Sequence, residues 1–365
     1  MKTILLVATR QIGDVLLVTP LLRSLRLAQP EAVIDVLVYT DKGGMLAGNP
    51  DCNEVIESDE HPDWRGHLRL CRRIFRRYDI ALTVQANDRG HVYAWLAGRQ
   101  RFGLIPDLTA ASAWKRASCR AWALLDNVHT HTVVQNLRLA DLLGVARDCT
   151  VVPPRCDYGA ELVGRLVPWA QEQDIAVLHP FPMWHYKRWT RQGWRELIAG
   201  LRARGMKIVL TGGPAAEVAY CESLAADGDA LNLAGRLPIP ALPALFSRAR
   251  LFVGPDTSVT HLAAACGLPT LAIYGPSNPV KWGPWPAGSC ADPSPYGMLA
   301  RPWQRQGNVL LLQGVQPADL GTCLPCREEG CDKHKASLSR CLTEMSAATV
   351  LAAADELLAG RVECT

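Results

Sequence analysis

Short aliphatic runs closed by Gly, Asp or Pro turns recur along this chain and alternate with amphipathic stretches. No other feature restricts the fold as much. "TILLVA", "VIDVLVY", "EVIES" and "IALTVQ" read as strands separated by helix-like segments, the order of a parallel sheet. After the Pro-containing break "TVVPPRCDYG" the pattern restarts with "IAVLHP", "KIVLTGG", "ALNLAG", "LFVGPD" and "TLAIYG", again separated by helical stretches such as "RQGWRELIAGLRARG". Two Rossmann-like α/β halves follow, since 365 residues exceed what one core usually organises. The closing "SAATVLAAADELLAG" reads as an alanine- and leucine-rich helix with a glycine stop.

Composition narrows the class. A hydrophobic fraction of 48% and a charged fraction of 20% are those of a packed globular protein. The net charge of +4 is too small for a dedicated nucleic-acid binder, although arginines cluster locally. No run approaches the roughly 18 apolar residues of a membrane span, and "ILLVA" is short for a signal-peptide core, so a cytoplasmic protein is expected. The 13 cysteines are odd in number, and Cys221 and Cys266 fall in helix-like segments, a pattern of buried thiols in a reducing compartment.

Open parallel sheets bind ligands beyond the carboxyl ends of their strands, so the strand-to-helix loops are where function is sought. In "ATRQIGDVLL" the first strand ends near Ala8, and Gly13 and Asp14 fall at the turn into a helix. Gly13 permits close approach or a positive φ, while Asp14 is either a helix cap or a general base. Thr19-Pro20 offers a later helix start. The loop has no G-x-G-x-x-G, which argues against a nicotinamide or flavin enzyme.

In "LFVGPDTSVTHLAAACGLPTLAIYGPSNPVKWGPW", Asp256, Thr257 and Ser258 supply a capping side chain, two hydroxyls and the free amides of a new helix, an arrangement suited to a diphosphate. His261 lies one turn in, and Gly275-Pro276-Ser277 closes the next strand. Lys187 and Arg188 follow a strand end and precede a helix capped by Thr190, so they put cations near that anion site. Trp184, Trp189 and Trp194 read as packing residues. Glu217, after Gly212-Gly213, is either an acceptor for ribose hydroxyls or a solvated helix residue.

Two basic segments stand out. "RQRFGLIPDLTAASAWKRASCR" carries Arg99, Arg101, Lys115, Arg116 and Arg120, and "RLCRRIFRRYD" carries Arg72, Arg73, Arg76 and Arg77. Each suits either an anionic glycolipid at a membrane surface or a solvated helix face. Cys323, Cys326, Cys331 and Cys341 form C-x2-C-x4-C-x9-C with His334 among them, a candidate zinc or iron site or a set of reduced thiols.

The opening "GDVLLVTPLLRSLR", the "KRW" with its following helix, and "GPDTSVTHLAAACGLPTLAIYGPSNPVKWGPW" together resemble the ADP-heptose:lipopolysaccharide heptosyltransferases, inverting enzymes of glycosyltransferase family 9. The middle segment "HTHTVVQNLRLADLLGV" is similar to that family's His-containing helix. The resemblance implies an α/β GT-B fold, two Rossmann-like domains with parallel sheets facing a central cleft. Residues 1–160 would bind the acceptor, 161–345 the nucleotide sugar, and the helix of 346–365 is expected to pack back on the N-terminal domain.

It also implies roles. Asp14 matches the family's proposed base and Lys187 a donor-phosphate lysine. Asp256, Thr257 and the amides of Ser258 and Val259 match the diphosphate loop, with His261 beside it and Glu217 a looser match to a ribose-binding glutamate. Gly13 and Arg188 complete the expected donor site; Arg99, Arg101, Lys115, Arg116 and Arg120 form the expected acceptor face. The partners implied are ADP-heptose and a phosphorylated inner-core lipopolysaccharide sugar, with peripheral contact at the inner face of the membrane, no nucleic acid and no cofactor for catalysis. A branch that heptosylates autotransporter proteins carries cysteine-bound iron at different spacing, which keeps a structural zinc or iron, and a protein or other glycan acceptor, as alternatives. A GT-B-like nucleotide-sugar epimerase is another. Oligomeric state stays open.

Overall fold

The computed structural model describes residues 2–169, 174–213, 215–226, 228–298, 303–319, 321 and 323–360. The chain divides into two compact units, residues 1–154 with 290–293, and residues 155–289 with 294–365. The division falls at Pro154–Arg155, six residues before the expected boundary, inside the proline break itself.

The first unit is a six-stranded parallel sheet in the order β3-β2-β1-β4-β5-β6. Its strands are β1 (Thr3–Val7), β2 (Val33–Tyr39), β3 (Glu54–Ser58), β4 (Tyr78–Thr83), β5 (Gly98–Ile105) and β6 (Ala121–Leu124). Its helices are α1 (Ile12–Leu16), α2 (Thr19–Ala28), α3 (Trp64–Ile74), α4 (Asp88–Ala97), α5 (Ala113–Ser118) and α6 (Thr132–Leu142). The strands step outward in one direction from β4 to β6 and in the other from β1 to β3, so right-handed crossovers put α3, α4 and α5 on one face and α2 on the opposite one. Consistent with this, α3 touches α4, α4 touches α5, and α2 packs with α6. Leu5 and Val7, alternate residues of β1, are buried against Leu70 and Ile74 of α3 and Tyr93, Ala94 and Ala97 of α4.

Arg99 and Arg101 of the basic segment lie on β5, a strand the aliphatic pattern did not reveal, and the segment is therefore not one helix face. Gly98 explains the strand: a Cβ there would sit 2.5 Å from the Cβ of Ala81 and 2.8 Å from its backbone nitrogen, so β4 and β5 come together only around a glycine.

The second unit holds seven strands in the order β12-β13-β11-β10-β7-β8-β9, all parallel except the antiparallel edge pair β12–β13. They are β7 (Ile175–Leu178), β8 (Lys207–Leu210), β9 (Leu231–Asn232), β10 (Leu251–Pro255), β11 (Thr270–Tyr274), β12 (Trp303–Gln306) and β13 (Val309–Gln313). Its helices are α7 (Gly159–Leu166), α8 (Arg191–Ala203), α9 (Ala216–Ala225), α10 (Leu242–Phe246), α11 (Ser258–Ala265), α12 (Pro279–Trp282), α13 (Arg340–Thr343) and α14 (Ala347–Ala359).

The C-terminal helix departs from expectation. α14 lies on α8 and on the sheet of its own unit, with Val350, Ala353, Ala354 and Leu357 buried in the same core as Trp194, Leu197 and Leu201. Small residues on α14 let it lie close, and Gly200 of α8 faces Leu351 at a point where a Cβ would clash. Residues 361–365 of the expected segment lie outside the described residues.

Candidate active site

In the first unit β1 ends at Val7, and α1 begins only at Ile12 after Gln11. Asp14 is not a cap, because Gln11 holds the N-cap position. Its Oδ2 lies 3.3 Å from the Arg10 Nε, while Oδ1 is shielded from solvent with no hydrogen-bond partner among the described residues. Gly13 sits inside α1 as helical backbone rather than at a positive φ. Thr19 and Pro20 open a second helix, α2, so the loop contains both helix starts. The sequence reading missed the polar pair next to this loop: Thr9 donates to Gln85 Oε1 at 2.7 Å, and the buried Gln85 Nε2 has no partner among the described residues. Gln85 follows the end of β4, the kind of strand-end position from which it could have been singled out.

The expected acceptor cations separate. Lys115 is buried and pairs with Asp88 at 2.7 Å. Arg101 donates to the Ser118 carbonyl at 2.5 Å, and Arg116 to the carbonyls of Asp107 and Thr109, so both stitch loops to the unit. Arg99, 3.6 Å from Asp79, and Arg120 are exposed. His131 is the N-cap of α6, its ring Nδ1 accepting from the Val133 amide at 3.1 Å.

In the second unit β10 leads into α11 through Asp256 and Thr257. Thr257 is the N-cap, its Oγ1 accepting from the Thr260 amide, and Thr260 Oγ1 donates to the Pro255 carbonyl at 2.5 Å. The amides of Ser258 and Val259 open the helix, where no intrahelical acceptor exists for them. Asp256 does not cap. It is buried, and its Oδ2 lies 2.6 Å from the Lys187 Nζ and accepts from Ser277 Oγ at 2.6 Å, while the Tyr274 hydroxyl reaches Oδ1 at 3.4 Å. Burial pushes the Asp256 carboxyl up, but Lys187, His261 and Ser277 outweigh it and hold the group below the usual carboxylate range. His261 is buried in the first turn of α11. The expected free cation at Lys187 is therefore one half of an ion pair that joins the strand-end loops of β7, β10 and β11.

Thr190 caps α8 as expected, accepting from the Gly193 amide at 2.9 Å. Arg188 departs from expectation: its guanidinium stacks on Phe181 at 4.0 Å, and burial lowers its pKa. Glu217 accepts from the Gly213 amide and is raised by burial, against that hydrogen bond and the Arg188 charge. Trp189 and Trp194 are core residues 5.2 Å apart, whereas Trp184 is half-buried beneath Lys335. A site residue not foreseen is His179 at the end of β7. It is buried against the Thr211 hydroxyl at 3.2 Å, and burial lowers its pKa to about 4, so the ring is neutral.

The cysteine segment is corrected. Among the described residues no group of three or more His, Cys, Asp or Glu side chains is arranged to hold a metal ion. The Cys323 sulfur takes Gln316 Nε2 at 3.4 Å, and that of Cys331 takes the Arg340 amide at 3.4 Å. Cys341 is buried in the core, and burial together with the neighbouring sulfurs pushes its thiol to about 12. The sulfurs neighbour one another without forming such a group, so the expected zinc or iron finds no support in this segment.

Two parallel-dominated Rossmann-like sheets with polar residues gathered at their strand ends give the GT-B fold. The solved glycosyl transferase family 9 protein of Veillonella parvula aligns with a TM-score of 0.76 and 21% identity over 98% of this chain and 97% of that one. The ADP-heptose lps heptosyltransferase II of E. coli aligns with a TM-score of 0.71 and 19% identity over 98% and 99%. By sequence, lipopolysaccharide heptosyltransferase 3 of Escherichia coli K12 is 28% identical over 75% of this chain and 82% of its own. The family model for glycosyltransferase family 9 (heptosyltransferase) matches residues 67–290. The chain belongs to that family and is a glycosyltransferase of the heptosyltransferase type.

Proposed function

We propose that this enzyme transfers heptose from ADP-heptose to an inner-core lipopolysaccharide sugar with inversion at the anomeric carbon. The observation that carries the reading is the strand-end site of the second unit, where the N-terminus of α11 stands beside the Lys187–Asp256 pair in a chain of this family. Its similarity to lipopolysaccharide heptosyltransferases supports the choice of sugar and acceptor.

The second unit takes the nucleotide. The amides of Ser258 and Val259 and the hydroxyl of Thr257 receive the diphosphate, Lys187 adds positive charge, and His261 lies within the same turn. Glu217 takes the ribose hydroxyls, with Arg188 adjacent. The first unit takes the acceptor at the loop of Asp14; Arg99, at the start of β5, and Arg120, just before β6, lie at the amino ends of their strands, opposite that loop, and take no part. Asp14 removes the proton of the attacking hydroxyl as its oxygen bonds to the anomeric carbon. The bond from that carbon to the phosphate oxygen breaks, and ADP leaves with its charge stabilised by Lys187 and the α11 amides. The reading assigns no cofactor to this reaction and places the enzyme at the cytoplasmic face of the membrane that holds its acceptor.

The test is transfer from ADP-heptose to heptose-deficient core lipopolysaccharide of defined truncation, following ADP release and product mass for the unaltered protein and Asp14→Asn. Transfer that collapses in the variant while ADP binding persists is the expected result. Tight ADP-heptose binding without transfer to any truncated core would overturn the acceptor, and full activity of Asp14→Asn would overturn the base.

A further inference from the structure

The outer surface of the α3–α4–α5 layer carries apolar side chains that the core of the first unit does not use. Trp64, Trp95 and Trp114, one on each helix, are 69%, 56% and 41% exposed, and no other tryptophan among the described residues is so exposed. On α3 the residues buried beneath the helix are Leu70 and Ile74. Trp64, Leu68 and Cys71, continued by Phe75, recur at helical spacing along a second stripe, and all but the half-buried Cys71 are exposed. An amphipathic helix that buries one apolar stripe and displays another is built for two apolar neighbours, and only one of them is in this unit.

What flanks the second stripe identifies the other neighbour. Residues 61–77 contain six arginines and one aspartate. Arg65, Arg69 and Arg72 are exposed beside the stripe and have no ion-pair partner among the described residues, whereas Arg73 pairs with Glu54. The Arg65 guanidinium lies 5.2 Å from the Trp64 ring and that of Arg76 5.8 Å from Phe75. Exposed tryptophans among unpaired cations match the headgroup zone of an anionic bilayer, where indoles sit at the interface and arginines reach lipid phosphates. A second copy of the chain fits poorly, because a two-fold contact would set these arginines against one another.

We propose that the α3–α4–α5 face of the first unit docks on an anionic phospholipid surface, with Trp64 and Leu68 at headgroup depth and Arg65, Arg69 and Arg72 on the phosphates. The inference deepens the acceptor reading, on which it rests for its purpose, by naming the surface that meets the membrane.

The test is co-sedimentation of the full chain with vesicles of phosphatidylcholine, alone or mixed with phosphatidylglycerol. Binding to the mixed vesicles only, weakening with salt, is expected. Trp64→Ala should reduce it, and each of Arg65→Gln, Arg69→Gln and Arg72→Gln should lower partitioning about fivefold. All four positions are exposed, so unchanged thermal unfolding will confirm that the variants fold. Absence of vesicle binding, binding indifferent to lipid charge, or binding unaffected by the triple arginine variant would overturn the proposal, as would Trp64-dependent dimerisation in sedimentation without lipid. Transfer to a deacylated, water-soluble core oligosaccharide separates the two readings. It should be equal in unaltered and triple-variant protein, and its failure in unaltered protein would sink the acceptor reading while leaving vesicle binding as an independent result.

Discussion

Lys187 Nζ and Asp256 Oδ2 lie 2.6 Å apart, from the loops after β7 and β10, and this pair is the electrostatic centre of the second unit's strand-end site. The lysine is only partly exposed and the aspartate almost fully buried, so neither charge is well solvated without the other.

Removing the lysine alone should therefore be costly. Lys187→Met leaves a buried carboxylate with Ser277, Tyr274 and His261 as its remaining neighbours, and urea unfolding should show a loss of about 3–5 kcal/mol. Lys187→Met combined with Asp256→Asn should lose clearly less than the sum of the single changes. Strict additivity in the cycle would mean the pair is not coupled.

At Thr257 the helix cap coincides with the proposed diphosphate site. Thr257→Ala should destabilise the fold by about 1 kcal/mol and weaken ADP binding, whereas Thr257→Ser should keep both. Calorimetric titration with ADP reads the second effect, and an alanine variant with undiminished affinity would remove Thr257 from the site.

His179 makes stability depend on pH. Its ring is neutral in the fold, with a pKa of about 4, against an ordinary value of 6.5 when unfolded. Below 6.5 the unfolded chain therefore takes up a proton that the fold refuses. Its stabilising contribution is complete above pH 6.5 and disappears as pH falls toward 4, by up to about 3 kcal/mol. Urea midpoints across that window should fall less steeply for His179→Gln than for the unaltered protein.

Gly98→Ala should destabilise the first unit by about 1–3 kcal/mol, because the new methyl meets the backbone of Ala81. Thermal unfolding reads the loss, and a neutral result would show that β4 and β5 can move apart freely.

Much of this was legible in the sequence. The aliphatic runs located β1 to β4 and β7 to β11, most of which are central parallel strands, buried on both faces and readable as continuous hydrophobic segments. β5, β6 and β12 escaped because they carry arginine, glutamine and tryptophan, and β13, though apolar, went unread. At the site, the Thr257 cap and the strand-end position of Asp14 were readable as local features. The Lys187–Asp256 pair was not, since sequence spacing says nothing of which partner a long side chain finds across two loops. The same limit hid the engagement of Lys115, Arg101 and Arg116, whose charges suggested a free face. The cysteine spacing suggested a metal because it records distance along the chain and not whether the side chains converge as ligands, which they do not among the described residues.

Residues 290–293 belong to the first unit although both flanking segments belong to the second. There the Pro293 carbonyl accepts from the His131 amide at 2.9 Å, and Asp292 meets Arg147 at 2.6 Å. The first unit is thus not encoded by one uninterrupted stretch. A gene cut after Pro154 would express a sheet lacking a piece of its own surface, and swapping this half for a relative's would require exchanging the distant four-residue insert as well.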